Sequence, residues 1–148
     1  MQASSSELQC GFSLMEMMIV LVIMGVLTAI AIPAFSSWKE SQAVSSATSS
    51  LLTHLKQARN FAMAESRSVS ITFGSSSYTF DADTTGSCGP CRDEVVSYSQ
   101  FSDNLSISPT TTRTFSSRGT ANSGTMTLSA SGNSKEIVMN ILGRAYLQ

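Results

Sequence analysis

The segment 17-MMIVLVIMGVLTAIAI-32 decides the fold of this chain, because it holds no charged residue over sixteen positions. Glu16 is the one charge between Phe12 and Phe35. A helix over 12–35 would be about 36 Å long at ~1.5 Å per residue, which is enough to cross a hydrocarbon core of ~30 Å. A chain of 148 residues has room for one modest core, which cannot enclose a helix that is apolar on every side. The sequence therefore predicts a membrane span rather than a buried core helix.

A cleaved secretory signal peptide is the competing interpretation of this segment. Such a signal has a basic stretch before its apolar core and a small-residue cleavage site after it. Here residues 1–11 hold no Lys or Arg, so the basic stretch is missing before the apolar core. The first basic residue is Lys39, so the basic residues do not orient the span. The order of these features argues against an ordinary signal peptide.

The residues just before the span form the motif Gly11-Phe12-Ser13-Leu14-Met15-Glu16. At the edge of a long apolar helix, this string resembles the cleavage signal of type IV pilins and type II secretion pseudopilins. The resemblance implies that a prepilin peptidase cuts between Gly11 and Phe12 and that the new amino-terminal Phe12 is N-methylated. Residues 1–11 would be the leader, which lacks the basic residue that is usual in that family.

Glu16 is the residue that the resemblance assigns to filament assembly. A carboxylate within a bilayer helix costs up to ~2.5–3.5 kcal/mol at the membrane centre, so it usually has a partner. In the family this partner is the amino terminus of the neighbouring subunit. An amine freed at Phe12 would lie within the same first turns of helix as Glu16. The alternative is a carboxylate that reaches water at the membrane surface and has no partner.

The rest of the chain predicts a longer helix followed by strands. Apolar residues recur every three or four positions from Val44 to Ala62, so the helix should continue through 36–66 with one apolar stripe. After Arg67 the apolar period changes to two, which is typical of strands. Strand segments are predicted, between turns rich in Gly, Pro and Asn, at 68–73, around Tyr78 and Phe80, and at 94–100, 105–108, 112–116, 125–130, 135–141 and 144–147.

These patterns together predict an α+β protein. The long N-terminal helix would span the membrane in its first half, over 12–35, and would be amphipathic over 36–66. Its second half would pack on a C-terminal antiparallel β head at 67–148. The chain shows no internal repeat and no second helical pattern.

Two stretches of the chain resemble the FimT/GspH group of pilin-like proteins. One is 55-LKQARNFA-62 leading directly into the strand at 68–73, and the other is 115-FSSRG-119 followed by further strands and Gly143-Arg144. With the amino-terminal motif, the resemblance implies a minor pilin or pseudopilin, which is a structural subunit rather than an enzyme and has no cofactor. The sequence fits a type IV pilus and a type II secretion system equally.

The same resemblance implies the location and the partners of the chain. It would be a single-pass protein of the cytoplasmic (inner) membrane, with its head in the periplasm, before it enters a pilus or pseudopilus. Its partners would be other pilins or pseudopilins, the prepilin peptidase and the cytoplasmic membrane.

The tetrapeptide Cys88-Gly89-Pro90-Cys91 has the spelling of a thioredoxin-like redox motif. A reactive pair of this kind opens a helix, whose amino end lowers the pKa of the first thiol, whereas this one lies in a predicted loop before a strand. An exported head meets an oxidising compartment, which favours a structural disulfide between Cys88 and Cys91. Such a small ring should contribute at most ~2 kcal/mol. A free or metal-binding pair and a redox catalyst are the alternatives, and Cys10 would leave with the leader.

The sequence predicts no metal site, because one histidine and two cysteines do not complete a tetrahedral set of ligands. The histidine, His54, is expected on the surface of the helix. No glycine loop of the type that cradles phosphate is found.

DNA binding is the main functional alternative. Nine basic residues against ten acidic ones give no bulk attraction for polyanions. Some members of the FimT group bind DNA through a carboxy-terminal Gly-Arg-x-Arg motif, and this chain has Gly143-Arg144-Ala145-Tyr146, with tyrosine in place of the second arginine. A few phosphate contacts would give weak, salt-sensitive binding. The candidate residues for such contacts are Arg144, Arg118, Arg113 and Lys135.

Overall fold

The computed structural model describes residues 12–81 and 93–148. Within them, one long helix precedes two antiparallel sheets, as the α+β prediction requires. The helix is α1 (Leu14–Ala64), and a 3-10 turn lies at Tyr98–Gln100. The strands are β1 (Val69–Phe73), β2 (Ser77–Asp81), β3 (Asp93–Ser97), β4 (Ser106–Ser108), β5 (Arg113–Phe115), β6 (Gly124–Ala130), β7 (Asn133–Met139) and β8 (Ala145–Leu147).

The chain divides into two compact units, and α1 contributes to both. The first unit ends at Ser36, and its described part begins at Phe12. The second unit is Ser37–Gln148 and contains all the described strands.

Local hydrogen bonds define both ends of α1. The carbonyl of Ser13 accepts hydrogen bonds from the backbone N–H groups of Glu16 and Met17, at 3.1 and 3.2 Å. At the other end, Ser66 has a φ of 51°, and the N–H of Arg67 donates to the carbonyl of Ala62 at 3.2 Å. This is the usual left-handed ending of a helix, with serine in the place that glycine most often takes.

Arg67 connects the end of the helix to the first sheet. Its guanidinium forms ion pairs with Glu65, next to the helix end, and with Asp81, the last residue of β2. The hydrogen bond to Asp81 is the main reason why the pKa of Arg67 is raised. These contacts fix the direction in which the chain leaves α1.

The strands form two four-stranded sheets in the orders β3-β2-β1-β5 and β4-β6-β7-β8, and every neighbouring pair is antiparallel. In the first sheet Ile71 lies opposite Phe80, and Val69 lies opposite Phe115. In the second sheet Met126 lies opposite Ile137. All six of these side chains are buried, because the alternation of each strand turns its apolar residues to one face.

The core of the second unit lies between the second half of α1 and the two sheets. The helix contributes one stripe with the spacing that the sequence predicts, namely Val44, Ala47, Leu51, Leu55, Ala58 and Ala62. The strand predicted at 94–100 is shorter than expected, since β3 ends at Ser97 and the 3-10 turn follows. The Tyr98 hydroxyl in that turn donates to the carbonyl of Gly74 at 3.1 Å. Burial raises the pKa of Tyr98 to about 12.

Candidate functional site

The first candidate site is the apolar part of α1 that belongs to the first unit. Its large side chains are exposed in the single chain, with Leu21 66% and Ile30 68% exposed. The helix is long and apolar enough to cross a membrane, and the other described residues bury none of its most apolar window. An exposed apolar surface of this length requires lipid or other subunits around it.

Glu16 lies in the first turn of α1, one turn after Phe12, which is 80% exposed. In the described parts of the chain, the Glu16 side chain has no hydrogen-bond or ion-pair partner. A carboxylate at the amino end of a helix interacts favourably with the helix dipole, which offsets part of its desolvation cost. Gly11, on the other side of the predicted cleavage position, lies outside the described residues.

The second candidate site is a groove of about 440 Å³ between α1 and the end of the chain. We call it the basic groove, and it is lined by Lys56, Arg59, Asn60, Gly143, Arg144, Ala145 and Tyr146. It holds three cationic side chains and no acidic one. Of the four basic residues proposed from the sequence, only Arg144 lies here. Lys56 and Arg59 were missed, although their spacing of three places them on the same side of a helix.

Gly143 shapes the basic groove through the absence of a side chain. It has a φ of +68°, and a Cβ built on it would lie 2.2 Å from the carbonyl oxygen of Gly119. The same oxygen accepts a hydrogen bond from Arg59 Nε at 3.1 Å. Glycine therefore permits both the backbone turn and the close approach, and Arg144 follows directly from it.

Arg113 does not belong to a surface that could contact nucleic acid. It is only 5% exposed, and its Nη atoms donate to the carbonyls of Ser123 and Thr125 at 3.2 and 3.5 Å. Burial lowers its pKa, and among the described residues its Nε has no hydrogen-bond partner. The structure thus corrects the expectation for Arg113, whose side chain links β5 of one sheet to β6 of the other.

Arg118 and Lys135 are exposed but do not line the basic groove. The ammonium of Lys135 donates to the hydroxyl of Ser45 on α1 at 3.0 Å. The structure therefore does not gather the four predicted basic residues into one patch.

His54 is half buried rather than fully on the surface of α1. Its ring stacks on Phe80 with a centroid distance of 5.1 Å, and Nδ1 lies 2.9 Å from the Tyr78 hydroxyl. Burial raises the pKa of Tyr78. Residues 12–81 and 93–148 contain no group of three His, Cys, Asp or Glu side chains that could hold a metal ion. Cys88 and Cys91 lie outside the described residues.

Comparison with known families identifies the chain. The family model described as type II transport protein GspH matches residues 47–143, which is more than half of the chain. The chain belongs to the GspH family. A second family model, the prokaryotic N-terminal methylation motif, matches residues 8–32 and so includes Phe12 and Glu16. Members of the GspH family are pilin-like structural subunits, so this chain is a membrane-anchored minor pilin or pseudopilin that assembles with other pilins.

Solved structures agree with this assignment at the level of the fold. Two crystal forms of the type IV minor pilin FimU from Pseudomonas aeruginosa PAO1 match the GspH-family chain, both with 21% sequence identity. The first has a TM-score of 0.59 and covers 75% of this chain and 92% of FimU. The second has a TM-score of 0.53 and covers 70% and 91%. A comparison with curated protein sequences finds no match.

Proposed function

We propose that this GspH-family chain is cleaved between Gly11 and Phe12, is N-methylated on Phe12, and then enters the core of a type IV pilus or a type II secretion pseudopilus. The observation that carries the proposal is Glu16, a lone carboxylate at the amino end of an apolar helix. No side chain in the described part of its own chain neutralises it. The match to the methylation motif over 8–32 supports the same role.

The physical basis of assembly is a charge pair between subunits. Two apolar spines packed side by side would exclude water from Glu16, and a buried charge without a partner is costly. The methylated amine of a neighbouring Phe12 is a cation at the same depth as Glu16. Pairing the two satisfies both charges and fixes the stagger between subunits.

The location and boundaries follow from this role. Residues 1–11 are the leader, 12–35 the transmembrane and filament-core helix, 36–66 its amphipathic continuation, and 67–148 the β head. The protein is held in the inner membrane by its single span, with the head in the periplasm. Prepilin peptidase acts on it there before it joins other pilins or pseudopilins.

Intact-mass spectrometry of membrane-extracted protein tests the processing. The expected product begins at N-methyl-Phe12, and Gly11→Ala should leave the leader attached. A wild-type chain that keeps residues 1–11 in cells with active peptidase would contradict the proposal. Alkylation before mass analysis also tests the proposed Cys88–Cys91 disulfide, because neither thiol should react until a reductant is added.

DNA uptake is the second candidate function, and the basic groove is the observation that favours it. Tyr146 occupies the position of the second arginine in the Gly-Arg-x-Arg motif, but Lys56 and Arg59 bring two further cations beside Arg144. The positive charge that the motif lacks is thus supplied by α1. Tyr146 is 50% exposed and offers a ring on which a base could stack.

A salt titration of DNA binding tests this second candidate function. If the groove contacts phosphates, Lys56→Gln and Arg144→Gln should each weaken binding and reduce the slope of log K against log salt by about 1. Arg118→Gln is the matched control, because Arg118 is exposed and lies outside the groove. Equal effects of all three variants would indicate nonspecific attraction and exclude a dedicated DNA site.

A further inference from the structure

A polar groove of about 190 Å³ lies at the start of the second unit. Unlike the basic groove, it is lined by charged side chains of both signs. We call it the mixed-charge groove. One wall is the part of α1 that holds Lys39 and Glu40, and the other is the loop at 102–104 that follows the 3-10 turn. Three properties of this groove favour a ligand, namely its rigidity, its unpaired charges and its place in the chain.

The loop wall is held in place by hydrogen bonds. The hydroxyl of Ser102 donates to Glu40 Oε2 at 2.8 Å and accepts the N–H of Asn104 at 3.2 Å. The backbone N–H groups of Phe101 and Ser102 both donate to the carbonyl of Tyr98, at 3.0 and 3.2 Å. The buried side chain of Tyr98 anchors this turn in the core. The groove is therefore formed before any ligand arrives.

The groove presents charges of both signs. Lys39 and Asp103 are exposed, and neither has a hydrogen-bond or ion-pair partner among the described residues. Glu40 uses only Oε2, in its bond with Ser102, which leaves Oε1 able to accept another donor. One ammonium and two carboxylates thus line a space of molecular size without neutralising one another.

The position of the groove along the chain points to the membrane surface. Lys39 comes four residues after Phe35, the end of the predicted span, which is about 6 Å further along a helix. Trp38, which is 61% exposed, lines a neighbouring pocket with Lys39. Tryptophan is enriched where a span meets the lipid headgroups. With the span ending at Phe35 as proposed, Lys39 and Trp38 would lie at the depth of the headgroup layer.

We propose that the mixed-charge groove binds the headgroup of a zwitterionic phospholipid that carries a primary amine. The lipid phosphate would pair with Lys39, and its ammonium would donate hydrogen bonds to Asp103 and Glu40. A primary ammonium offers three N–H donors, whereas a quaternary amine offers none and a neutral polyol headgroup lacks the positive charge. Binding would hold the subunit at a defined depth and rotation before assembly. The inference requires membrane anchoring but is independent of the assembly role of Glu16 and of DNA binding.

Lipid retention by the full-length chain tests the proposal. The chain in mild detergent is mixed with phosphatidylethanolamine, phosphatidylcholine or phosphatidylglycerol of identical acyl chains, and retained lipid is counted by native mass spectrometry. Phosphatidylethanolamine should be retained in preference to both others. Lys39→Gln and Asp103→Asn should each reduce its retention about fivefold, the effect of losing one exposed charge pair of ~1 kcal/mol.

Matched controls separate the groove from general charge effects. Lys135→Gln and Asp93→Asn make the same chemical changes at exposed positions outside both grooves and should leave retention unchanged. Trp38 is the only tryptophan, so its emission should shift on titration with phosphatidylethanolamine and should not shift with phosphatidylcholine. Equal retention of the three lipids, preference for phosphatidylglycerol, or equal losses in the control variants would each overturn the proposal.

Discussion

Leu21 and Leu51 lie on the same helix, yet Leu21 is 66% exposed in the single chain and Leu51 is completely buried. Leu51 packs against the sheets of its own unit, where its burial stabilises the fold. Leu21 has no such surroundings in the described chain and can be covered only by lipid or by other subunits. One secondary structure thus serves two purposes, and its two halves should respond differently to the same substitution.

The comparison also applies to charged residues. Arg67 and Arg113 in the second unit obtain their hydrogen bonds from the same chain. Glu16 in the first unit has no such partner in the described residues. The second unit thus supplies partners for these two arginines, whereas Glu16 in the first unit depends on what surrounds the helix.

The largest expected effect on stability is that of Leu51→Ala. Removing a fully buried leucine leaves a cavity and should lower the free energy of unfolding by ~2–5 kcal/mol. Leu21→Ala makes the same change on the same helix and should alter this free energy by less than ~0.5 kcal/mol. Urea titrations of both full-length variants in detergent, followed by circular dichroism of the β signal, measure the difference. Equal losses in the two variants would remove the distinction between the units.

A smaller effect is expected from glycine substitutions within the second unit. Gly143→Ala combines a left-handed backbone with a 2.2 Å contact to the Gly119 carbonyl and should cost ~2–4 kcal/mol. Gly132→Ala is the control, because its φ is +85° but nothing lies within 4 Å of the added Cβ. Its free energy of unfolding should fall by ~1–2 kcal/mol, the cost of the left-handed backbone alone. Equal losses of stability in thermal unfolding would contradict the steric clash expected between the added Cβ at position 143 and the Gly119 carbonyl oxygen.

The smallest effect is a pH dependence above pH 10. Tyr98 has an unfolded pKa near 10 and a folded pKa of about 12. Between these values the unfolded chain releases the phenolic proton and the folded chain keeps it, so stability falls as pH rises through this window. We expect a loss of ~1–2 kcal/mol by about pH 11, one pKa unit above the unfolded value, because each unit corresponds to ~1.4 kcal/mol. Tyr98→Phe should be less stable at pH 8, through the lost bond to Gly74, but should show a shallower decline.

Most of the fold could be predicted from the sequence because the apolar residues that become buried recur at regular spacings along the chain. The apolar residues from Val44 to Ala62 recur with the period of a helix, and those after Arg67 alternate with the period of two that strands have. The 3-10 turn was missed for a related reason. Val96 and Tyr98 are both buried at a spacing of two, so the pattern looks the same whether the strand ends at Ser97 or continues.

The candidate sites were only partly predictable. The motif at Gly11–Glu16 is contiguous and could be read directly, but the basic groove joins Lys56 to Arg144 across the fold. Nothing in a linear pattern indicates that pairing. The charge of Arg113 makes it a candidate for phosphate contacts, although its spacing of two from Phe115 places both on the inner face of β5. In this case the period was a better guide than the residue type.

The most direct test of the difference between the two units is the Glu16→Ala variant, measured for folding and for assembly in the same cells. Protein level, leader cleavage and the unfolding midpoint should match the wild type, and Glu94→Ala serves as an exposed control in β3. Incorporation into sheared filaments or co-purified pilin complexes should fall at least about tenfold, because leaving one member of a buried charge pair alone costs ~3–5 kcal/mol. Normal incorporation of Glu16→Ala, or a loss of folding stability, would contradict the assignment of Glu16 to contacts between subunits.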